Sequence, residues 1–251
     1  MNPQTRSAVD FAEKGGYLPA LRAIAKGSCV PFWWHGPTAT GGYRVFHNGT
    51  LCLVDTGERQ IGVTADHVFA GYLSDKQTNP EIVCQLGSTT CLPEKHLIDR
   101  SKTLDLATFD LSEVVAAASG GRFHAPGSWP ASTIQERDVL LLGGYPGGLR
   151  KERQVTAELP FQWFAGAATS VSSSNVSLHL DLANRHQPLV PSGAINAELG
   201  GMSGGPVFRV IANPIERLAL VGFIYEYQAS FELLLARPAE CVLPNGRLAP
   251  L

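Results

Sequence analysis

Charge is scarce in this 251-residue chain, and neither sign is in excess. Charged residues make up 17% and the net charge is −2, against a usual charged share of ~25%. A nucleic-acid-binding domain needs a clearly basic surface, and a membrane-surface patch needs a run of like charges. Neither is present, so no nucleic acid and no membrane are expected among the partners. Sparse charge also argues against a coiled coil or a disordered chain. Long apolar runs are missing as well. The longest, residues 218–225, is far short of the ~20 residues that span a bilayer. Arg6, Asp10, Glu13, Lys14, Arg22 and Lys26 interrupt the first part of the chain, so no secretion signal is expected there and the chain reads as cytoplasmic.

Cysteine is sparse and odd in number: Cys29, Cys52, Cys84, Cys91 and Cys241. Without an export signal, that count fits reduced thiols. Cys84 and Cys91 flank Gly87-Ser88-Thr89 and would face each other across a hairpin. There is no C-x-x-C, and His35, His47, His96, His124 and His186 keep no metal-ligand spacing. No metal and no cofactor is expected.

Turn-formers are abundant, with 26 Gly and 17 Pro. Residues 5–26 read as helix in two pieces broken at Gly15-Gly16, with Leu18, Leu21, Ala23 and Ile24 on one face of the second piece. Residues 31–42 read as a Pro-, Gly- and Trp-rich loop. From Tyr43 the chain changes to short apolar runs punctuated by turns: 51–54, 61–64, 82–86, 106–111, 139–142, 155–159, 176–182, 206–211 and 218–225. The first two flank the turn Asp55-Thr56-Gly57-Glu58, a hairpin pattern. Many short strands at regular spacing predict an all-β sandwich or barrel. Residues 111–118 read as a short helix or connector, and the stretch around 112–135 as the linker between two β halves. The chain after Arg237, with Pro238, Pro244 and Pro250, reads as an irregular tail.

Three segments carry chemistry. Thr64-Ala65-Asp66-His67-Val68 ends a strand, Asp105-Leu106-Ala107 opens one, and Gly200-Gly201-Met202-Ser203-Gly204-Gly205-Pro206-Val207 is a glycine-dense turn. At average usage Ser-Gly-Gly-Pro arises by chance in about one of a few hundred chains this long. A nucleophilic serine must stand clear of its backbone beside N–H groups aimed at the developing oxyanion, and glycines permit that backbone. A plain glycine turn would look the same. A serine needs a base, usually His held by a carboxylate. Gly201-Met202-Ser203-Gly204-Gly205 also matches G-x-S-x-G, but the α/β-hydrolase order needs a His after the Ser, and none follows Ser203. Asp55-Thr56-Gly57 lacks the second loop of an aspartic protease, and a subtilisin order through Asp55 lacks the alternating helices; a hairpin turn explains it more simply.

The remaining order is His67, Asp105, Ser203. The segments T-A-x-H-V, D-L-A and G-x-S-G-G-P-V in that order resemble the chymotrypsin/trypsin-like serine peptidase family, particularly its bacterial members. The resemblance spans residues 43–230. It implies two antiparallel six-stranded β-barrels, here at 43–118 and 136–237, behind a short helical extension (1–42), joined by a linker (119–135) and followed by a tail (238–251). It further implies Ser203 as nucleophile, His67 as general base and then acid, and Asp105 as the group that holds the imidazole, with the N–H groups of Gly201 and Ser203 as oxyanion hole. Asp99 or Asp110 would serve in place of Asp105, and Asp66, next to the base, reads as structural because adjacent strand residues point to opposite faces. The floor of the main specificity pocket would be Ala197, with a wall from Tyr225-Glu226-Tyr227. An apolar floor argues against a strict preference for basic side chains, although Glu198 and Glu226 would attract them.

Two departures matter. Met202 stands where secreted members carry the Asp that pairs with a newly cut N-terminus, and the family's disulfides have no counterparts. The expected function is a serine endopeptidase acting on protein or peptide substrates. The alternatives are a catalytically weak homologue that binds extended peptides in the cleft, and a latent peptidase held inactive by its own N-terminal helices or tail; a regulatory protein is a further candidate partner. Gly143-Gly144-Tyr145-Pro146-Gly147-Gly148 with Arg150 and Lys151 lacks P-loop spacing and reads as a turn. Trp33-Trp34-His35 reads as packing, Asn48-Gly49-Thr50 and Asn175-Val176-Ser177 match glycosylation sequons without meaning in a cytosolic chain, and His179 reads as a packing residue.

Overall fold

The computed structural model describes residues 18–37, 45–113, 121–153, 156–179, 199–211 and 217–250. The architecture is all-β, in two large sheets and one two-stranded sheet. Strands β1 (Cys29–Gly36), β2 (Val45–Asp55), β3 (Gln60–Thr64), β4 (Val83–Leu86), β5 (Thr89–Cys91), β6 (Leu97–Ser101) and β7 (Leu106–Asp110) form a curled seven-stranded sheet in the order β5-β4-β1-β2-β3-β7-β6. Strands β8 (Val139–Gly144), β11 (Gln162–Val171), β12 (Val176–His179), β13 (Pro206–Ile211), β14 (Arg217–Gln228) and β15 (Leu233–Pro238) close into a six-stranded barrel. Between them in sequence, β9 (Lys151–Arg153) and β10 (Thr156–Glu158) make a separate hairpin. Every pairing within these sheets is antiparallel.

The first sheet has seven strands because Cys29–Gly36 belongs to it. Residues 31–36, expected as loop, pair along their length with β2. Pro31 and the adjacent tryptophans masked the strand in the sequence. Trp34 is buried against Phe32 and Tyr72, and its indole N–H donates to Asp75 at 2.7 Å, so the Trp33-Trp34-His35 run is packing. Among the described residues there are two α-helices: α1 (Leu18–Gly27), which packs where the two sheets meet, and α2 (Asp66–Thr78), which lies on the first sheet. In α1 the buried pair is Leu21 and Ala25, one turn apart, whereas Ala23 and Ile24 face outward. The inward stripe is thus rotated from the expected face. The second helix was not expected. Its apolar residues Val68, Phe69 and Tyr72 are buried against the sheet, but Asp66, His67, Ser74, Asp75 and Lys76 break the periodic pattern.

Apolar side chains form three clusters. One, around Phe32, Leu51, Phe69, Tyr72 and Phe109, fills the first sheet. Another, around Leu140, Phe164, Val207, Val221 and Ile224, fills the barrel. A third, including Val54, Ile61, Val63, Phe208 and Phe223, joins the two. Burying each such side chain contributes roughly 1.5–3 kcal/mol. Residues 121–138 carry no strand, but His124 bridges Val54 in parallel. The segment after β15 is no loose tail: Thr108 donates to Gly246 O at 2.7 Å, Thr56 to Pro244 O at 2.6 Å, and Leu248 N to Asp99. It straps the barrel to the first sheet. Cys84 and Cys91 face each other across the β4–β5 hairpin, as expected, and all five cysteines are free thiols. Among the described residues no helix is long and apolar enough to cross a membrane.

Candidate active site

The base segment is the start of a helix rather than the end of a strand. Strand β3 stops at Thr64 and α2 begins at Asp66, so His67 lies in the first helical turn. The first N–H groups of a helix lack partners within it. Asp105 supplies one: its Oδ1 accepts the His67 backbone N–H at 2.8 Å, while its Oδ2 meets His67 Nδ1 at 2.7 Å. The carboxylate therefore caps the helix and orients the imidazole at once. A negative charge is also favoured at this end of the helix dipole.

Burial pushes the Asp105 carboxyl pKa up, but the two hydrogen bonds from His67, its charge and that of Arg237 outweigh this and hold it below the ordinary value. An ionised carboxylate only accepts, so Nδ1 is the donor in this contact, and the neutral imidazole then has Nε2 as its acceptor. Asp105 sits at φ +52°, in the left-handed region that Asp tolerates better than most residues. Of the three candidate acids, Asp105 is the one at His67. Asp99 accepts from Arg100 N and Leu248 N, and Asp110 pairs with Arg59 at 3.4 Å.

Asp66 is structural, for a reason other than the one expected. It is buried and forms a two-point ion pair with Arg100, at 2.6 and 3.0 Å, and that guanidinium lies 5.3 Å from the Phe69 ring centre. The pair ties the start of α2 to β6 beside His67.

Ser203 lies in the turn leading into β13. Gly201 and Gly204 there have φ +95° and +90°, conformations that a Cβ disfavours. Strand β2 threads past this turn. Thr50 N donates to Ser203 O at 2.9 Å, Thr50 Oγ1 donates to Gly201 O at 2.8 Å, and Asn48 Nδ2 donates to Tyr145 O at 2.7 Å. The glycine-rich segment 143–148 backs the serine turn from the other side: Gly147 N donates to Gly200 O at 2.6 Å, and a Cβ on Gly144 would lie 3.1 Å from the Met202 Cα. These contacts absorb two segments the sequence left without purpose, residues 48–50 and 143–148.

In the serine turn, the N–H groups of Met202, Gly204 and Gly205 donate to Leu199, Ile224 and Met202 carbonyls. Those of Gly201 and Ser203 have no acceptor among the described residues. The Ser203 hydroxyl donates to the Tyr225 carbonyl at 3.3 Å. Ser203 and Met202 are buried; the His67 side chain is 54% exposed and faces solvent.

The tyrosines expected to wall the pocket part company. A register shift in β14 between Ile224 and Glu226 sends Tyr225 into the apolar cluster of the first sheet, while Tyr227 packs against the barrel cluster. The Tyr225 carbonyl, not its ring, meets Ser203. Glu226 is exposed and accepts from Gln228. Ala197 and Glu198 lie outside the described residues, as does the expected break at Gly15-Gly16.

No family model and no curated protein matches the sequence. Among solved structures, the chain is similar to AL20, a thermostable serine protease from an extremophilic microorganism. The identity is 14%, the match covers 84% of this chain and 91% of that one, and the TM-score is 0.48. It is also similar to the active form of the Rv3671c protease from M. tuberculosis, at 14% identity, 88% and 82% coverage and TM-score 0.48. A structure concerned with the Sesbania mosaic virus VPg protein follows at 12% identity, 84% and 91% coverage and TM-score 0.45. Likeness at this level carries no argument about chemistry, which rests on the side chains.

Proposed function

We propose that the chain is a serine endopeptidase of the chymotrypsin/trypsin-like family, of the bacterial, cytoplasmic type that forms no disulfides. The observation that carries the proposal is the two-point contact of Asp105 with the ring and backbone of His67. It engages Nδ1, so that in the neutral imidazole Nε2 is the nitrogen free to act as base. Ser203 attacks the carbonyl of the substrate, and His67 Nε2 takes the hydroxyl proton and later delivers it to the leaving amine. Asp105 holds the tautomer and stabilises the imidazolium. The N–H groups of Gly201 and Ser203 receive the oxyanion, where losing one donor typically costs roughly 2.7–4 kcal/mol of barrier. Water then releases the acyl group by the same route.

For attack, the Ser203 hydroxyl must turn from the Tyr225 carbonyl toward His67. That orientation favours a second reading, a latent homologue whose serine is held off its base. Intact mass after a fluorophosphonate probe separates the two. One adduct on the parent chain and none on Ser203→Ala supports the active peptidase; no adduct on either removes it and favours latency.

A further inference from the structure

Arg237, on β15 of the barrel, reaches across to the turn that carries Asp105. Its Nε donates to Leu104 O at 2.6 Å and its Nη2 to Thr103 O at 3.2 Å, the two carbonyls just before Asp105. Its Nη1 donates to Ser174 O at 2.8 Å and to Asn175 Oδ1 at 3.3 Å. The guanidinium lies 4.0 Å from the ring centre of Tyr225, whose hydroxyl donates to the same Asn175 Oδ1 at 2.9 Å. Tyr225 in turn presents the carbonyl that accepts the Ser203 hydroxyl. One planar fork thus touches the backbone leading to the carboxylate and the residue whose backbone meets the serine.

The chemistry of Arg suits this place. Its donors sit in a rigid plane that binds two acceptors at once and stacks on an aromatic face. No carboxylate lies within ion-pairing distance of Arg237 among the described residues, and its acceptors are all neutral. Its charge therefore remains available to Asp105. The charged groups acting on that carboxylate are His67 from α2 and Arg237 from β15. The backbone at Asp105 is in the left-handed region, which persists when surrounding contacts over-determine it.

We propose that Arg237 is a positioning residue of the site: it holds the left-handed turn at Asp105 against His67 and, through Tyr225, couples that turn to the carbonyl facing Ser203. The inference rests on the proposed peptidase site for its role in catalysis. Its structural half, the fixing of the Asp105–His67 contact, does not depend on the serine being reactive.

The test uses Arg237→Met and Arg237→Lys in the full chain, with melting curves to establish folding. The first readout is the proton NMR signal of the His67 Nδ1–H, deshielded by its short bond to a carboxylate and identified by its loss in Asp105→Asn. The second is the rate of fluorophosphonate labelling at neutral pH. Arg237→Met is expected to shift or broaden the Nδ1–H signal and to slow labelling by roughly 10–100-fold, the order of loss from a small misplacement of reacting groups. Arg237→Lys keeps the charge and is expected not to restore the rate, since a point charge does not grip two carbonyls. An unchanged Nδ1–H signal in folded Arg237→Met overturns the proposal. If that variant melts below the assay temperature, an unchanged signal and an unchanged labelling rate in Arg237→Lys overturn it instead. A parent that does not label, with an Nδ1–H signal that still depends on Arg237, sinks the active peptidase and leaves the positioning role standing.

Discussion

Gly204 and Thr50 lie so close that no side chain fits between them. A Cβ on Gly204 would run into the Thr50 carbonyl and lie 2.5 Å from Thr64 Oγ1. The serine turn is thereby pressed against β2 and the end of β3, the strand that delivers His67. Gly204 also has φ +90°, where an Ala costs about 1–2 kcal/mol before any clash. Gly204→Ala should therefore lower the melting temperature by at least about 5 °C, at the ~2–4 °C per kcal/mol expected for this size. A melt within roughly 2 °C of the parent would show that the two loops part easily.

Asp66 and Arg100 form a pair that is 5% and 29% exposed at the side chains. Removing one partner from a fully buried pair costs ~3–5 kcal/mol. The exposure of the guanidinium reduces this, and Arg100→Met is expected to cost about 2–3 kcal/mol in denaturant unfolding. Because Asp66 precedes His67 in the first turn of α2, labelling at Ser203 should slow in the same variant. Loss of stability with the parental labelling rate would confine the pair to the fold.

Asp105 gives stability a definite pH dependence. Its folded carboxyl pKa lies below the ordinary value. Its contribution is therefore fully present above the unfolded pKa of ~3.9 and is lost as pH falls through the lower folded value. Unfolding free energy measured from pH 7 to pH 2 should drop more steeply below about pH 4 for the parent than for Asp105→Asn. Identical acid branches would mean that the carboxylate is not ionised at the helix start.

The thiols should be inert in the folded chain. All five are buried. Burial raises the pKa of Cys29, Cys52 and Cys84 far from the thiolate range, and that of Cys91 to about 11. Since the thiolate is the reactive form, a chromogenic thiol reagent at pH 8 should titrate five groups only after denaturation. A fast-reacting thiol in the native chain would contradict that burial.

The sequence by itself determined the polymer class and the chemical candidates. Glycine and proline between short apolar runs specify strands and turns through backbone sterics alone, and His67, Asp105 and the Ser203 turn stand out by residue type and order. The β4–β5 hairpin was legible because a two-residue turn brings Cys84 opposite Cys91. Strand β1 was not, since its proline and aromatic residues are neutral as to period. Helix α2 was missed because its sheet-facing residues Val68, Phe69, Tyr72 and Leu73 span little more than one turn, and the polar residues that follow hide the period.

Tertiary structure decided which of three acids meets His67, because that choice depends on which strand end lies beside the start of α2. It decided that residues 48–50 and 143–148 serve the serine turn: hydrogen bonds such as Tyr145 N to Thr50 Oγ1 and Thr50 Oγ1 to Gly201 O, between residues 95 and 151 positions apart, leave no local pattern. The parting of Tyr225 from Tyr227 comes from one register shift, which no alternation of side chains announces. Arg237 was invisible for the same reason: an arginine in an apolar strand carries no sign of the carbonyls, more than 130 residues away in the chain, that the folded barrel brings to it.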